Sequence, residues 1–131
     1  MVTLSRALAD TSIFIGLENA RIDAAGLDGY ELGVSVVTLG ELRLGVLQAA
    51  DPERAARRLS SYQLAQRFDA LPIDEQVSEA WALLVSRLRA GGRKAPINDS
   101  WIAATAMAHG VPVVTQDADY EAMPGVGVIR V

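Results

Sequence analysis

Arg6-Ala-Leu-Ala-Asp-Thr-Ser-Ile-Phe-Ile-Gly-Leu17 reads as a short strand that stops at an acidic residue and turns at once into a helix. Arg6–Asp10 is the strand, and Asp10-Thr11-Ser12 is a natural start for the helical piece Thr11–Leu17. The same order recurs downstream. Glu31–Val37 is apolar and β-branched, as a buried strand is. Thr38–Ala49 follows as a helix, with Leu39, Leu42, Val46 and Ala49 spaced along one apolar face. Arg21–Gly26 reads as a short helical piece between them.

Asp51-Pro52-Glu53 combines an N-cap, a proline at the first helical position and an acidic first turn, so a long helix is expected from there to about Phe68. Ala70–Ile73 is a short strand that Pro72 confines to an edge or a strand start. A helix over Asp74–Ala90 ends at Gly91-Gly92. Ser100–His109 is a further helix, Val111–Thr115 the next strand and Val126–Val131 the last. Strands alternating with helices predict an α/β fold, a doubly wound and mainly parallel sheet flanked by helices. No repeat or linker divides residues 1–131, so a single domain is expected.

Composition narrows the chemistry. The 131 residues contain no cysteine, which excludes disulfides, thiolate zinc sites and a thiol nucleophile. No signal peptide and no apolar span of membrane length can be drawn, so a soluble, cytoplasmic protein without a membrane partner is expected. Sixteen acidic against twelve basic residues give a net charge of −4, which argues against broad polyanion binding without local cations or bound metal. Lys94 is the only lysine; the other basic residues are arginines, the better partners for phosphate oxygens. Arg54, Arg57 and Arg58 share one helix face, which reads as solvated surface. Arg87, Arg89, Arg93 and Lys94 precede Asn98-Asp99 and can border an acidic site.

Four carboxylates fall at one edge of the expected sheet. Asp10 ends the first strand, Asp117 follows Val113-Val114-Thr115-Gln116, Glu41 lies in the first turn of a helix, and Asp99 begins another. Ligands of such sheets bind beyond the carboxyl ends of the strands. Hard divalent cations take oxygen ligands, and carboxylates packed together without one repel. Each residue also has a local alternative. Asp10 and Asn98-Asp99 can cap helices, Thr38-Leu39-Gly40-Glu41 matches a capping box, and Asp117-Ala118-Asp119 suits a turn. Asp119 reads as the N-cap of a short helix running toward Met123. The lone His109 sits at a helix C-terminus, which leaves no histidine-based mechanism.

The segments Leu8–Ile15, Ser35–Gly45, Asn98–Gly110 and Val113–Tyr120, in this order, resemble those of the PIN-domain ribonucleases, and most closely the VapC-type toxins of prokaryotic toxin–antitoxin pairs. The resemblance implies Mg²⁺- or Mn²⁺-dependent endonucleolytic cleavage of RNA. It assigns the acidic set to Asp10, Glu41, Asp99 and Asp117, with Asp10, Asp99 and Asp117 on the metal and Glu41 orienting or deprotonating the attacking water. Ser12 and Thr115 match small hydroxyl positions beside that set. It further implies a homodimer and a cognate antitoxin that blocks the site. Leu39, Leu42, Leu44, Val46 and Leu47 are enough for both a core face and a contact face. Two other classes compete. A metal-dependent phosphatase of the phosphoaspartate kind wants a second aspartate two residues after Asp10, where Ser12 stands, and a receiver wants a lysine late in the chain. The third reading is a metal-binding interaction module without catalysis.

Overall fold

The computed structural model describes residues 4–131. Five strands form one wholly parallel sheet in the order β3-β2-β1-β4-β5. In chain order the elements are β1 (Ser5–Ala9), α1 (Thr11–Glu18), β2 (Tyr30–Ser35), α2 (Val36–Leu47), α3 (Pro52–Ala65), β3 (Asp69–Leu71), α4 (Glu75–Ala90), α5 (Ile97–Ala108), β4 (Val113–Thr115) and β5 (Val128–Arg130). Two 3₁₀ turns, Ala24–Leu27 and Ala118–Ala122, complete the connections.

The centre of the sheet is buried on both faces, and alternation along β1 and β4 divides the core. Leu8 and Val113 point to one side, where Leu84, Leu88, Ile102 and Tyr120 of the α4–α5 layer close over them. Ala7, Ala9 and Val114 point to the other, onto Ile13, Phe14, Leu42 and Ala65 of α1–α3. Small residues at Ala103, Ala104 and Ala106, all fully buried, let α5 lie close against its neighbours. A parallel pair needs a crossover between its strands, so the helices cover both faces and the run of apolar strand residues follows.

The expected α/β architecture is present, with boundaries shifted where local chemistry differs. Helix α2 begins at Val36 because Ser35, not Thr38, is its N-cap: the Ser35 hydroxyl accepts from the Val37 N–H at 3.1 Å. Glu41 therefore sits one turn further into α2 than expected, and the Thr38–Glu41 capping box does not form. Helix α5 begins at Ile97 with Pro96 at the cap position, so Asn98 and Asp99 lie inside its first turn and cap nothing. A proline loses no hydrogen bond there, because the first N–H groups of a helix have no partner within it. Asp51 does cap α3, accepting from the Arg54 N–H at 2.8 Å. That helix stops at Ala65, before Phe68. The piece expected at Arg21–Gly26 narrows to the 3₁₀ turn Ala24–Leu27. Strand β3 is an edge strand as Pro72 requires, with the proline just outside it.

Candidate active site

The strand order reverses direction between β1 and β4, and Asp10 and Asp117 lie just beyond the carboxyl ends of these two strands. In an open parallel sheet the loops beyond such a pair splay to opposite faces and leave a crevice. The topology thus places two of the four carboxylates at the mouth of that crevice. The first turn of α5 brings in Asp99, and the 3₁₀ turn after β4 brings in Asp119.

Carboxylate oxygens of Asp99, Asp117 and Asp119 all lie within 4.8 Å of one another. Asp119 does not cap the 3₁₀ turn, as the sequence had suggested; Asp117 does, its Oδ1 accepting from the Asp119 N–H at 2.9 Å. With that role taken, the Asp119 carboxylate is left to join the cluster. An Asp two residues after a strand-end Asp was the available signal, and turn propensity outweighed it.

Asp10 is buried, 3 % exposed, and lies beside that trio without being a member of it. It occupies the cap position of α1 but makes no side-chain cap. Its Oδ1 instead accepts from the Ser12 hydroxyl at 2.6 Å and its Oδ2 from the Thr115 hydroxyl at 2.9 Å. Each hydroxyl in turn accepts a backbone N–H from the segment after β4, Ser12 from Gln116 at 2.9 Å and Thr115 from Asp117 at 2.8 Å. One carboxylate thereby ties the end of β1 to the end of β4. Burial pushes the Asp10 carboxyl up from 3.8 to about 6; the two hydroxyl bonds pull it down less, and the charges of Asp99 and Asp117 raise it further.

Burial also raises the Asp99 carboxyl above its ordinary value, opposed by the Tyr120 hydroxyl and reinforced by Asp117, Glu41 and Asp119. Tyr120 donates to Asp99 Oδ1 at 3.2 Å from a fully buried ring. Burial first, then the charges of Asp10 and Asp99, hold its hydroxyl far above the ordinary phenol range, so it remains a donor. Glu41 is positioned separately. The Thr11 hydroxyl donates to its Oε1 at 2.6 Å, and the Asn98 amide donates to its Oε2 at 3.3 Å. Thr11 and Asn98 were read from the sequence only as helix-start residues and Tyr120 not at all, because a hydroxyl or amide that orients a carboxylate carries no spacing signature.

No arginine or lysine lies within ion-pair distance of these acids among the described residues. An all-oxygen set of converging carboxylates, with Asp99 among them raised in pKa by burial and then by its acidic neighbours, fits a hard divalent cation. Asp99, Asp117 and Asp119 supply the converging oxygens, and Asp10 adds charge beside them.

A family profile described as PIN domain matches residues 7–126. The chain is 69% identical over 130 residues to Ribonuclease VapC4 of Mycobacterium tuberculosis, covering 99% of this chain and 100% of that one. It is 38% identical to Ribonuclease VapC5 of the same organism over 98% of this chain and 96% of the relative. The crystal structure of VapBC-5, a member of the VapBC family of toxin–antitoxin systems from Mycobacterium tuberculosis, superposes with a TM-score of 0.86 at 39% identity, covering 97% of this chain and 99% of that chain. The chain belongs to the PIN-domain family, and within it to the VapC proteins. The phosphatase and receiver readings are not favoured by that membership. No helix among the described residues is long and apolar enough to cross a membrane.

Tyr120→Phe isolates one of the positioning contacts. The ring stays, so the fold is expected to hold, while Asp99 loses its donor. Outer partners of metal ligands are commonly worth 10–100-fold in affinity. Mn²⁺ binding, read by the loss of the free-ion electron paramagnetic resonance signal, is expected to weaken by about tenfold. Unchanged Mn²⁺ affinity would mean that the hydroxyl only satisfies the core.

Proposed function

We propose that this protein is a metal-dependent endoribonuclease that acts as the toxin of a toxin–antitoxin pair in the cytoplasm, with Mg²⁺ as its ion and Mn²⁺ able to replace it. The observation that carries the reading is the convergence of Asp99, Asp117 and Asp119 beside buried Asp10 at the point where the strand order reverses. The names of its VapC relatives supply RNA as the substrate class.

Asp10, Asp99 and Asp117 form the catalytic metal set, and Asp119 joins it as an addition to the expected residues. A cation bound there supplies a more acidic water and positive charge beside a phosphoryl oxygen. The chain's own groups do the rest. Ser12 and Thr115 fix both oxygens of Asp10, and Tyr120 fixes one oxygen of Asp99. Glu41, held by Thr11 and Asn98, orients the attacking water and takes its proton. The water oxygen bonds to phosphorus as the bond to the leaving oxygen breaks, and that oxygen is protonated from solvent.

Beside Glu41 a groove of about 160 Å³ runs between α1, α2 and α3, lined by Thr11, Ile15, Glu18, Leu42 and Arg58 among others. Its mixed lining suits a segment of an antitoxin that reaches the acids with a basic side chain. Exposed Leu44, Leu47, Leu83 and Ile97 offer further surface for that partner and for a homodimer.

Purified protein with Mg²⁺ or Mn²⁺ and a panel of structured and single-stranded RNAs is expected to give discrete cut ends that a chelator abolishes. A panel that shows no chelator-sensitive cleavage would defeat the nuclease reading.

A further inference from the structure

An acidic cluster repels the substrate it is proposed to cut, so cations must receive the strand before it reaches the site. The chain has two groups of basic side chains near helices, and the structure separates them by what they touch. On α3, Arg54 lies 3.7 Å from the cap residue Asp51 and Arg57 lies 3.5 Å from Glu53, while Arg58, without such a partner, lines the separate groove beside Glu41. At the end of α4 and in the loop after it, Arg87, Arg93 and Lys94 are exposed and have no carboxylate within ion-pair distance among the described residues.

These three line two joined, open grooves of about 330 and 270 Å³. The grooves share Arg93 and a floor of Leu88 and Met123, both nearly buried. The inner one is bounded by Lys94 and by Asp119, a member of the converging acids, so it opens onto the proposed site. The outer one continues along Arg87. Its one rim carboxylate, Glu121, is already engaged by Arg130 at 3.1 Å and leaves the arginines free. Arg93 spends a single donor on the Ala122 carbonyl, at 3.2 Å, which ties it to the 3₁₀ turn carrying Asp119. Gly125, at φ +81 where the backbone favours glycine, brings the loop into ordinary contact with the Arg87 guanidinium.

We infer that the groove running from Asp119 past Lys94 and Arg93 to Arg87 is the path of a single RNA strand, which lays its phosphates along this cationic rim as it enters the acidic site. This rests on the nuclease reading. The floor is aliphatic and holds no aromatic ring for base stacking, so charge rather than base identity governs binding here.

The test uses full-length protein in an Asp99→Asn background with Mg²⁺, so that a fluorescent single-stranded RNA is bound and not cut. Arg87→Ala, Arg93→Ala and Lys94→Ala are combined, and the control combines Arg54→Ala, Arg57→Ala and, at an exposed position just after α3 that lines neither groove, Arg67→Ala. Both variants lose the same charge. The groove variant is expected to bind about tenfold or more weakly, and its slope of log affinity against log salt is expected to fall by about 2, from roughly 0.7 per phosphate contact on a single strand. The control is expected to stay within about twofold of the parent. Equal losses in the two variants would assign the effect to net charge and overturn the path. So would an acidic peptide of matched charge that competes as well as RNA, because it would give the groove to a protein partner. Failure of the nuclease reading shows elsewhere, as wild-type protein that binds RNA through this groove but gives no chelator-sensitive cleavage.

Discussion

Asp99→Asn is expected to lower metal-dependent RNA cleavage by at least about 100-fold, since even outer partners of metal ligands cost 10–100-fold. The substitution keeps shape and removes one charge from the three converging carboxylates. Asp99 caps nothing, because α5 begins at Ile97 with Pro96 before it, so no helix start is lost with it. The amide oxygen can still accept from the Tyr120 hydroxyl. Folding should therefore survive, and with less repulsion among the acids the metal-free protein should melt no lower than its parent. The pair of measurements separates chemistry from folding. Cleavage that persists near the parental rate would remove Asp99 from the site, and a melting temperature that falls sharply would show that its role is structural. A parallel Asp117→Asn is a less clean comparison, since Asp117 also caps the 3₁₀ turn through the Asp119 N–H.

Legibility in the sequence followed the range of the interaction. The sheet was legible because alternation, glycine stops and the Asp51-Pro52 start are local, and because strand–helix alternation leaves a parallel sheet as the packing solution. The positions of Asp10 and Asp117 followed from the same reasoning, as residues after strands. Boundaries were less legible where two local signals competed. Ser35 and Thr38 both qualify as caps of α2, and which one wins depends on where β2 stops pairing with β3, at Ser35 opposite Leu71. Least legible were contacts between distant segments. Ser12 with Thr115, Thr11 with Glu41 and Tyr120 with Asp99 are joined only by the fold. Asp119 shows the mixed case: its sequence suggested a cap, and the backbone gave that task to Asp117.

Asp10→Asn is expected to stabilise the metal-free protein at neutral pH by about 3 kcal/mol while it disables the proposed site, and the gain should vanish in acid. The folded carboxyl is held at about 6 against 3.8 in a free chain, a difference of roughly two pH units at 1.36 kcal/mol each. Below pH ~3 the acid is protonated whether the chain is folded or not, and burial carries no electrostatic penalty. Between about pH 4 and 6 the unfolded chain gives up its proton while the folded one keeps it, so folding stability falls as pH rises. Above about 6 the penalty is complete. Asparagine carries no charge at any of these pH values, and the Ser12 and Thr115 hydroxyls can each donate or accept beside it. The variant should therefore melt about 12 °C above the parent at pH 7.5, taking about 4 °C per kcal/mol for a chain of this size, and match it at pH ~3. Saturating Mg²⁺ should narrow the gap at pH 7.5, because an ion bound only to the folded parent adds stability that the variant lacks. A parent at least as stable as the variant at pH 7.5 without metal would show that the two hydroxyl bonds outweigh burial. In that case Asp10 would be a strut between β1 and β4 rather than a charge held in reserve for a cation.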